Sequence, residues 1–532
     1  HPRSSPTGSR KPRLKATSLR VASVAILSLG LASVGQAQGF RGGHTEALGP
    51  LYKAAPDTSN PDRRHNLPPS ADTLTRVRYW NQTAIDASGL DHTPVGPGEN
   101  RVFGEQLGPC RAARAMAIIH IAMFEAVNAV AGGYQSYVGL KPAQANTSMD
   151  AAIAQAVHDT LAALFPSQSA SFDQRLTDDL SQLQDGDAKT KGIDLGKQAA
   201  AAILALRSGD GSQIPEPRVG IEFITSTLPG KWRQDPISLN PLALGAYWGQ
   251  VKPFVLNSAD QFRIPPPPPL NSAEYAAAYN EVKQVGGDGV TTPTTRTDDQ
   301  THLAIYWAYD GTPSLCAPPR LYNQIAVHIA DQLGSNAIEL ARLLALANTA
   351  MADGAIAAWE SKYYYQFWRP VTGIRESDVD TGPTGLGDGN AATTGDPTFT
   401  PLGAPASNLT GPDFTPPFPA CPSGHATIGA SLFQTLRRFY RTDKIAFTFV
   451  SDEFNGVTRD NNGEVRPLLP RSFSSLSQAE EENGQSRIYL GIHWAFDKSY
   501  GIKQGRKVAD QVFENAFVPR HKPDDKDRPP RR

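Results

Sequence analysis

The sequence predicts an all-α protein, on three observations. Apolar residues recur at three- and four-residue steps through residues 111–130, 151–164 and 192–206, with little Gly or Pro inside them. Residues 336–368 are a longer Ala- and Leu-rich stretch of the same character, open to an interruption near Gly354. Strand-like alternation is sparse from one end to the other.

The elements follow in order. The helical pattern begins at Thr73. His120 lies on the apolar face of residues 111–130 and reads as a core histidine rather than a ligand. Residues 208–270 are broken by Gly and Pro and end in Pro265–Pro269, a stiff extended connector. Helical periodicity returns over 272–285, 298–308 and 321–333. Residues 381–420 are rich in Gly, Thr and Pro and read as one long loop, of the kind that usually serves function. Helix resumes over 425–440 and 478–491. This gives an N-terminal helical region at 76–300 and a C-terminal one at 301–519. A polar, flexible leader at 38–75 precedes them, and a charged, disordered tail at 520–532 follows.

Bulk properties exclude some classes. The 532 residues carry 51 basic and 52 acidic side chains, a net charge of -1, so no nucleic-acid partner is expected and any preference for anions must be local. Hydrophobic content of 39%, with 44 Pro and 46 Gly, fits a globular chain with long irregular loops. Arg10, Lys11, Arg13, Lys15 and Arg20 precede an apolar run at 21–34 and the small residues Gly35 and Ala37. That order reads as a signal peptide, 1–37, giving a secreted or periplasmic protein without stable membrane insertion. No later stretch reads as a membrane span. Cys110, Cys316 and Cys421 match neither a disulfide framework nor a zinc site, and one pair after export stays open.

Three short motifs carry the chemistry. The first is Lys362-Tyr363-Tyr364-Tyr365-Gln366-Phe367-Trp368-Arg369-Pro370. Its two cations are two helical turns apart, so one helix face can carry both. The flanking aromatics imply burial, and a buried cation needs an anion. The second is Pro422-Ser423-Gly424-His425. Ser423 is a good N-cap for a helix beginning at His425, and Gly424 lets an oxyanion approach the N–H groups of the first turn. The third joins Arg487 to His493 and Asp497. Arg487 and His493 are nearly two turns apart if the helix continues. His493 and Asp497 are spaced i, i+4, so the carboxylate can fix one ring nitrogen and leave the other as ligand or nucleophile. Each motif alone also fits a surface charge or an ordinary helix cap. Together they place three cations, two imidazoles and a helix N-terminus around one point. Charge-assisted bonds contribute roughly 1.5–3 kcal/mol each, enough in sum to hold a phosphate-like group.

The motifs, in this order and spacing, resemble the superfamily of vanadium-dependent haloperoxidases and type 2 phosphatidic acid phosphatases. The likeness extends toward the fungal vanadium chloroperoxidases through Tyr79-Trp80-Asn81, Tyr306-Trp307-Ala308-Tyr309-Asp310-Gly311, Pro318-Pro319-Arg320, Tyr322-Asn323-Gln324-Ile325 and Asn455-Gly456-Val457. The resemblance covers residues 75–515 and implies two four-helix bundles joined by long loops, with vanadate as prosthetic group. It makes His493 the vanadium ligand and His425 the acid–base residue. Lys362, Arg369, Ser423, Gly424 and Arg487 would hold the oxygens, and Lys362 would also polarise peroxide. Asp310 would partner Arg487, and Trp359 and Phe418 would line the halide side. The implied reaction is oxidation of bromide or chloride by hydrogen peroxide to hypohalous acid, with an organic acceptor as a further partner. The same residues also fit an exported acid phosphatase, with His493 as nucleophile and His425 as proton donor, or a non-catalytic oxyanion-binding protein.

Overall fold

The structure, a computed structural model, describes residues 40, 42–50, 66–404, 415–460 and 463–520. The expected signal peptide, much of the leader and the tail after Arg520 lie outside the described residues. The helices are α1 (His44–Leu48), α2 (Thr73–Asp91), α3 (Gly108–Ala131), α4 (Met149–Leu164), α5 (Ser169–Ser181), α6 (Asp187–Leu206) and α7 (Ala273–Val285). They continue with α8 (Asp298–Tyr306), α9 (Pro319–Gln332), α10 (Ala337–Tyr365), α11 (Pro370–Arg375) and α12 (Gly424–Tyr440). After the short antiparallel pair β1 (Phe447–Phe449) and β2 (Arg471–Phe473) come α13 (Leu476–Tyr489) and α14 (Ala495–Asn515). Among the described residues this is the only sheet, so the all-α expectation holds.

Two groups of helices form. In one, α2, α3, α4 and α6 pack on one another; in the other, α10, α12, α13 and α14 do. Helix α3 also lies along α10, and one apolar core runs from Trp80 through Met116, Leu343 and Phe433 to Val512. The expected pair of four-helix bundles therefore does not appear as two separate cores.

Four helices escaped the sequence reading, among them α1 within the expected leader. Helix α5 is largely polar and exposed, and α11 has six residues. Helix α14 buries a seam that includes Gly501 and Gly505 rather than a strongly apolar stripe. A Cβ on Gly505 would lie 2.1 Å from the Thr427 carbonyl, so only glycine permits this approach of α14 to α12. Helix α10 runs unbroken through Gly354, where a Cβ would meet Ser431 Oγ of α12 at 2.7 Å. Two further readings are corrected. Part of the expected flexible leader is built into the fold: Phe40 and Ala47 are buried in a cluster with Phe103, Leu107 and Leu242. Helices α3 and α10 are long and apolar enough to cross a membrane, but 94% and 100% of their most apolar windows are buried in the protein, as expected of core helices.

Asp353 ties a loop to the middle of α10. Its carboxylate accepts from the backbone N–H groups of Phe254, Val255 and Leu256 at 2.6, 2.7 and 2.9 Å. Asp353→Ala would leave these donors without their acceptor and is expected to cost about 3 kcal/mol or more. The measurement is the shift in the urea unfolding midpoint.

Candidate active site

The structure brings the three motifs together, by a different route from the one expected. Lys362 and Arg369 do not share a helix. Helix α10 ends at Tyr365 because Gln366 turns left-handed, with φ 52°, and Arg369 becomes the N-cap of α11. Arg487 and His493 do not share one either, since α13 stops at Tyr489 and His493 stands in the link before α14. The cations converge instead on the end of the long loop. Lys362 Nζ donates to the carbonyls of Pro419 and Ala420, both at 2.8 Å. Arg369 Nε donates to the Phe418 carbonyl at 2.9 Å, and its Nη1 to the Ile492 carbonyl at 2.8 Å.

Ser423 caps α12, its hydroxyl oxygen accepting from the Ala426 N–H at 3.3 Å. Gly424 is then the first helical residue, where a backbone N–H has no partner within the helix. A Cβ there would meet the Trp359 ring at 3.0 Å. The absence of a side chain at Gly424 thus lets the indole pack against the helix start, beside the Lys362 side chain.

The two histidines differ in tautomer. His493 Nδ1 lies 2.8 Å from Asp497 Oδ2, and Arg369 Nη1 lies 3.0 Å from His493 Nε2. Arginine can only donate, so Nε2 carries the lone pair and Nδ1–H donates to the carboxylate. Asp497 also accepts from the Trp494 N–H at 3.0 Å, which sets it in the first turn of α14. His425 Nε2 lies 2.6 Å from the Ala308 carbonyl, an acceptor, so its lone pair is at Nδ1. Arg487 Nη2 contacts both Asp310 oxygens at 2.7 Å, and Asp310 Oδ1 is 3.9 Å from His425 Nε2.

Trp359 and Phe418 pair with ring centroids 4.7 Å apart. Lys362 Nζ lies 5.5 and 5.1 Å from those rings, and the Arg369 guanidinium 4.9 Å from Phe418. Both aromatics line a small cavity of about 60 Å³ that also reaches Asp310, Gly424, His425, Arg487 and His493.

This pocket holds more positive charge than it neutralises. Three buried guanidinium nitrogens, Arg369 Nη2 and Arg487 Nε and Nη1, have no hydrogen-bond partner among the described residues. Burial, then the neighbouring Arg369, hold the Lys362 ammonium well below the usual lysine range. Burial brings Arg369 down to about 9. His425 and His493 are both depressed well below the ordinary imidazole value, first by burial and then by the nearby cations. Burial raises Asp497 to about 6. Orphaned guanidinium donors, a helix start at Gly424 and an imidazole nitrogen held only by an arginine N–H fit a multiply charged oxyanion such as vanadate or phosphate.

The sign of the linkage follows. With no anion the site binds fewer protons near neutral pH than free imidazole and ammonium groups would. An anion offsets the desolvation and the mutual repulsion, so binding should draw protons in, and affinity should fall as pH rises. Calorimetric titration with inorganic phosphate, at an alkaline pH where it is already a dianion and in buffers of different ionisation enthalpy, should show net proton uptake. Proton release would contradict the charge assignment.

Some site residues gave no warning in the sequence. The Phe418, Pro419 and Ala420 carbonyls are backbone groups and have no side-chain signature. Tyr322 Oη and Asn483 Nδ2 both donate to the His425 carbonyl, at 3.1 and 3.0 Å, and steady the first turn of α12. Asn483 lies four residues before Arg487 on α13, so a shared helix face could have pointed to it.

The comparisons find likenesses of the same kind. Residues 342–520, which hold most of the constellation, match the VCPO second helical-bundle domain. The chain is 28% identical over 505 residues to the vanadium chloroperoxidase of Curvularia inaequalis, covering 79% of this chain and 78% of that one. It superposes on the first bacterial vanadium-dependent iodoperoxidase with a TM-score of 0.63 and 24% identity, covering 82% of this chain and 96% of the other. A holo-type bacterial vanadium-dependent chloroperoxidase gives a TM-score of 0.56 and 16% identity, covering 82% and 96%. The resemblance read from the motifs thus holds along most of the chain.

Proposed function

We propose that the protein is a vanadium-dependent haloperoxidase that oxidises bromide or chloride with hydrogen peroxide to hypohalous acid. The observation that carries this is the set of unpartnered guanidinium donors at Arg369 and Arg487 beside the lone pair of His493 Nε2. Arg369, Arg487, Lys362, the Ser423 hydroxyl and the Gly424 N–H would hold the vanadate oxygens, and His493 Nε2 would be the ligand nitrogen. When bound, vanadate supplies a Lewis-acid centre that activates peroxide toward halide.

The protein's own residues do the rest. Asp497 keeps the proton on His493 Nδ1 and so keeps Nε2 available as a ligand. Asp310 fixes the Arg487 fork while leaving Nε and Nη1 to the anion. His425, neutral in its buried setting, can take a proton from hydrogen peroxide at Nδ1 and return it to the departing oxygen. Lys362 uses two ammonium hydrogens on carbonyls and keeps the third for the oxygens it polarises. Trp359 and Phe418 give the halide a weakly hydrated wall.

The test is halogenation of a diketone reporter with peroxide and bromide, then chloride, before and after vanadate loading. Vanadate-dependent turnover of either halide is expected. Absence of turnover with both halides would sink the proposal, and phosphate-ester hydrolysis through a trappable phosphohistidine would replace it.

A further inference from the structure

Two fixed contacts of the site hang on one turn. The Ala308 carbonyl lies 2.6 Å from His425 Nε2 and decides which imidazole nitrogen keeps the lone pair. Asp310, two residues on, holds the Arg487 fork. Between them Tyr309 is left-handed, with φ 43°, a conformation unfavourable for a residue with a Cβ. Contacts from outside the turn must therefore hold it.

That support is the segment 451–454. Ser451 Oγ donates to the Tyr306 carbonyl at 2.8 Å and accepts from the Glu453 N–H at 3.2 Å, which caps a short 3-10 helix at Asp452–Phe454. The Asp452 N–H donates to the Tyr309 hydroxyl at 2.7 Å. The Asp452 carboxylate accepts from Arg320 Nε at 2.8 Å and Gln324 Nε2 at 2.9 Å, which anchors the segment on α9. Glu453 Oε1 accepts from the Tyr309 N–H at 3.2 Å, and its Oε2 accepts from Arg466 Nη1 at 2.7 Å.

Glu453 and Arg466 are both buried. Burial raises the Glu453 carboxyl to about 7, even with Arg466 drawing it down. A buried pair of this kind adds little net stability over apolar residues of the same size. Neither residue is among those that line the active-site cavity. The Tyr309 N–H connects Glu453 to the chemistry.

We propose that Glu453 is a positioning residue for the oxyanion pocket: by holding the Tyr309 N–H it sets the turn that presents the Ala308 carbonyl to His425 and the Asp310 carboxylate to Arg487. The inference rests on the oxyanion pocket and on the roles that the haloperoxidase reading gives His425 and Arg487. Glu453 acts through Tyr309 and meets no substrate. A displaced Asp310 would let the Arg487 guanidinium turn from the anion. A displaced Ala308 carbonyl would let His425 change tautomer.

The test compares two replacements that break opposite halves of this arrangement. Glu453→Asp keeps a carboxylate for Arg466 but is one methylene too short for the Tyr309 N–H. Glu453→Gln combined with Arg466→Met discards the charge pair and keeps a carbonyl oxygen for that N–H. Affinity of the full chain for inorganic phosphate is measured by calorimetry, with the thermal unfolding midpoint alongside. It should fall about tenfold or more in Glu453→Asp and stay within about threefold of wild type in the double variant, whatever its midpoint. No loss in Glu453→Asp, a loss confined to the double variant, or an equal loss in both overturns the proposal. Should Glu453→Asp fail to fold, Glu453→Leu with Arg466→Met replaces it, an apolar pair that offers Tyr309 no acceptor, and the same loss is expected. Should the first double variant fail to fold, Glu453→Gln alone takes its place. The titration contains no peroxide or halide. A protein that shows this pattern but oxidises no halide therefore loses the haloperoxidase reading alone. One that oxidises halide with unchanged phosphate affinity in Glu453→Asp loses only this inference.

Discussion

His493→Ala is expected to lose vanadate retention, with affinity reduced by at least about a hundredfold. His493 contributes a lone pair at Nε2 whose tautomer is fixed from both sides, by Asp497 at Nδ1 and by an arginine N–H at Nε2. The cations attract an oxyanion from any direction, whereas the imidazole nitrogen adds a directed bond. Alanine leaves the charge excess intact, so weak, salt-sensitive anion binding should survive. Equilibrium dialysis with vanadate at two ionic strengths separates the two contributions. Equal affinity in wild type and variant would refute the ligand assignment. Asp497→Asn is a milder probe of the same arrangement, and a loss of about 10- to 100-fold is expected.

His425→Ala should separate binding from turnover. His425 contacts the Ala308 carbonyl and stands 3.9 Å from Asp310, and its proton affinity is depressed by burial and by Arg487. It can therefore move a proton without being required to hold the anion. Vanadate affinity should change by only a few-fold, while halide turnover should fall about 10²- to 10⁴-fold. A pH–rate profile distinguishes this from a structural defect. The variant should lose the ionisation that wild type shows for this group, whereas a packing defect would lower the rate at every pH and keep the profile. Vanadate loss matching that of His493→Ala would overturn the division of roles.

What could be read beforehand depended on how local the signal was. Ser423 and Gly424 were legible because a cap is a property of four adjacent residues. The His493–Asp497 contact was legible for the same reason, although it forms across a helix start rather than within a helix. The shared-helix readings failed where the chain leaves the helix. Gln366 turns left-handed while its carbonyl accepts from the Trp232 N–H at 2.7 Å, a partner 134 residues earlier that no local pattern reveals. Helix α14 was missed because the face that packs on α12 is glycine at Gly501 and Gly505, and glycine gives no periodic apolar signal. Asp310 was placed by resemblance alone, and its bidentate hold on Arg487 spans 177 positions.

The core shared by α3 and α10 has a consequence for biosynthesis. A chain emerging from the ribosome completes α3 long before α10 exists, and α10 finds its cover only by reaching back across more than 200 residues. A fragment beginning at residue 342 would keep Lys362, His425, Arg487 and His493 yet expose the flank of α10 that α3 covers. Such a fragment should precipitate when made alone and regain solubility when co-produced with the preceding residues, so the chemistry of one half depends on the other half as its chaperone.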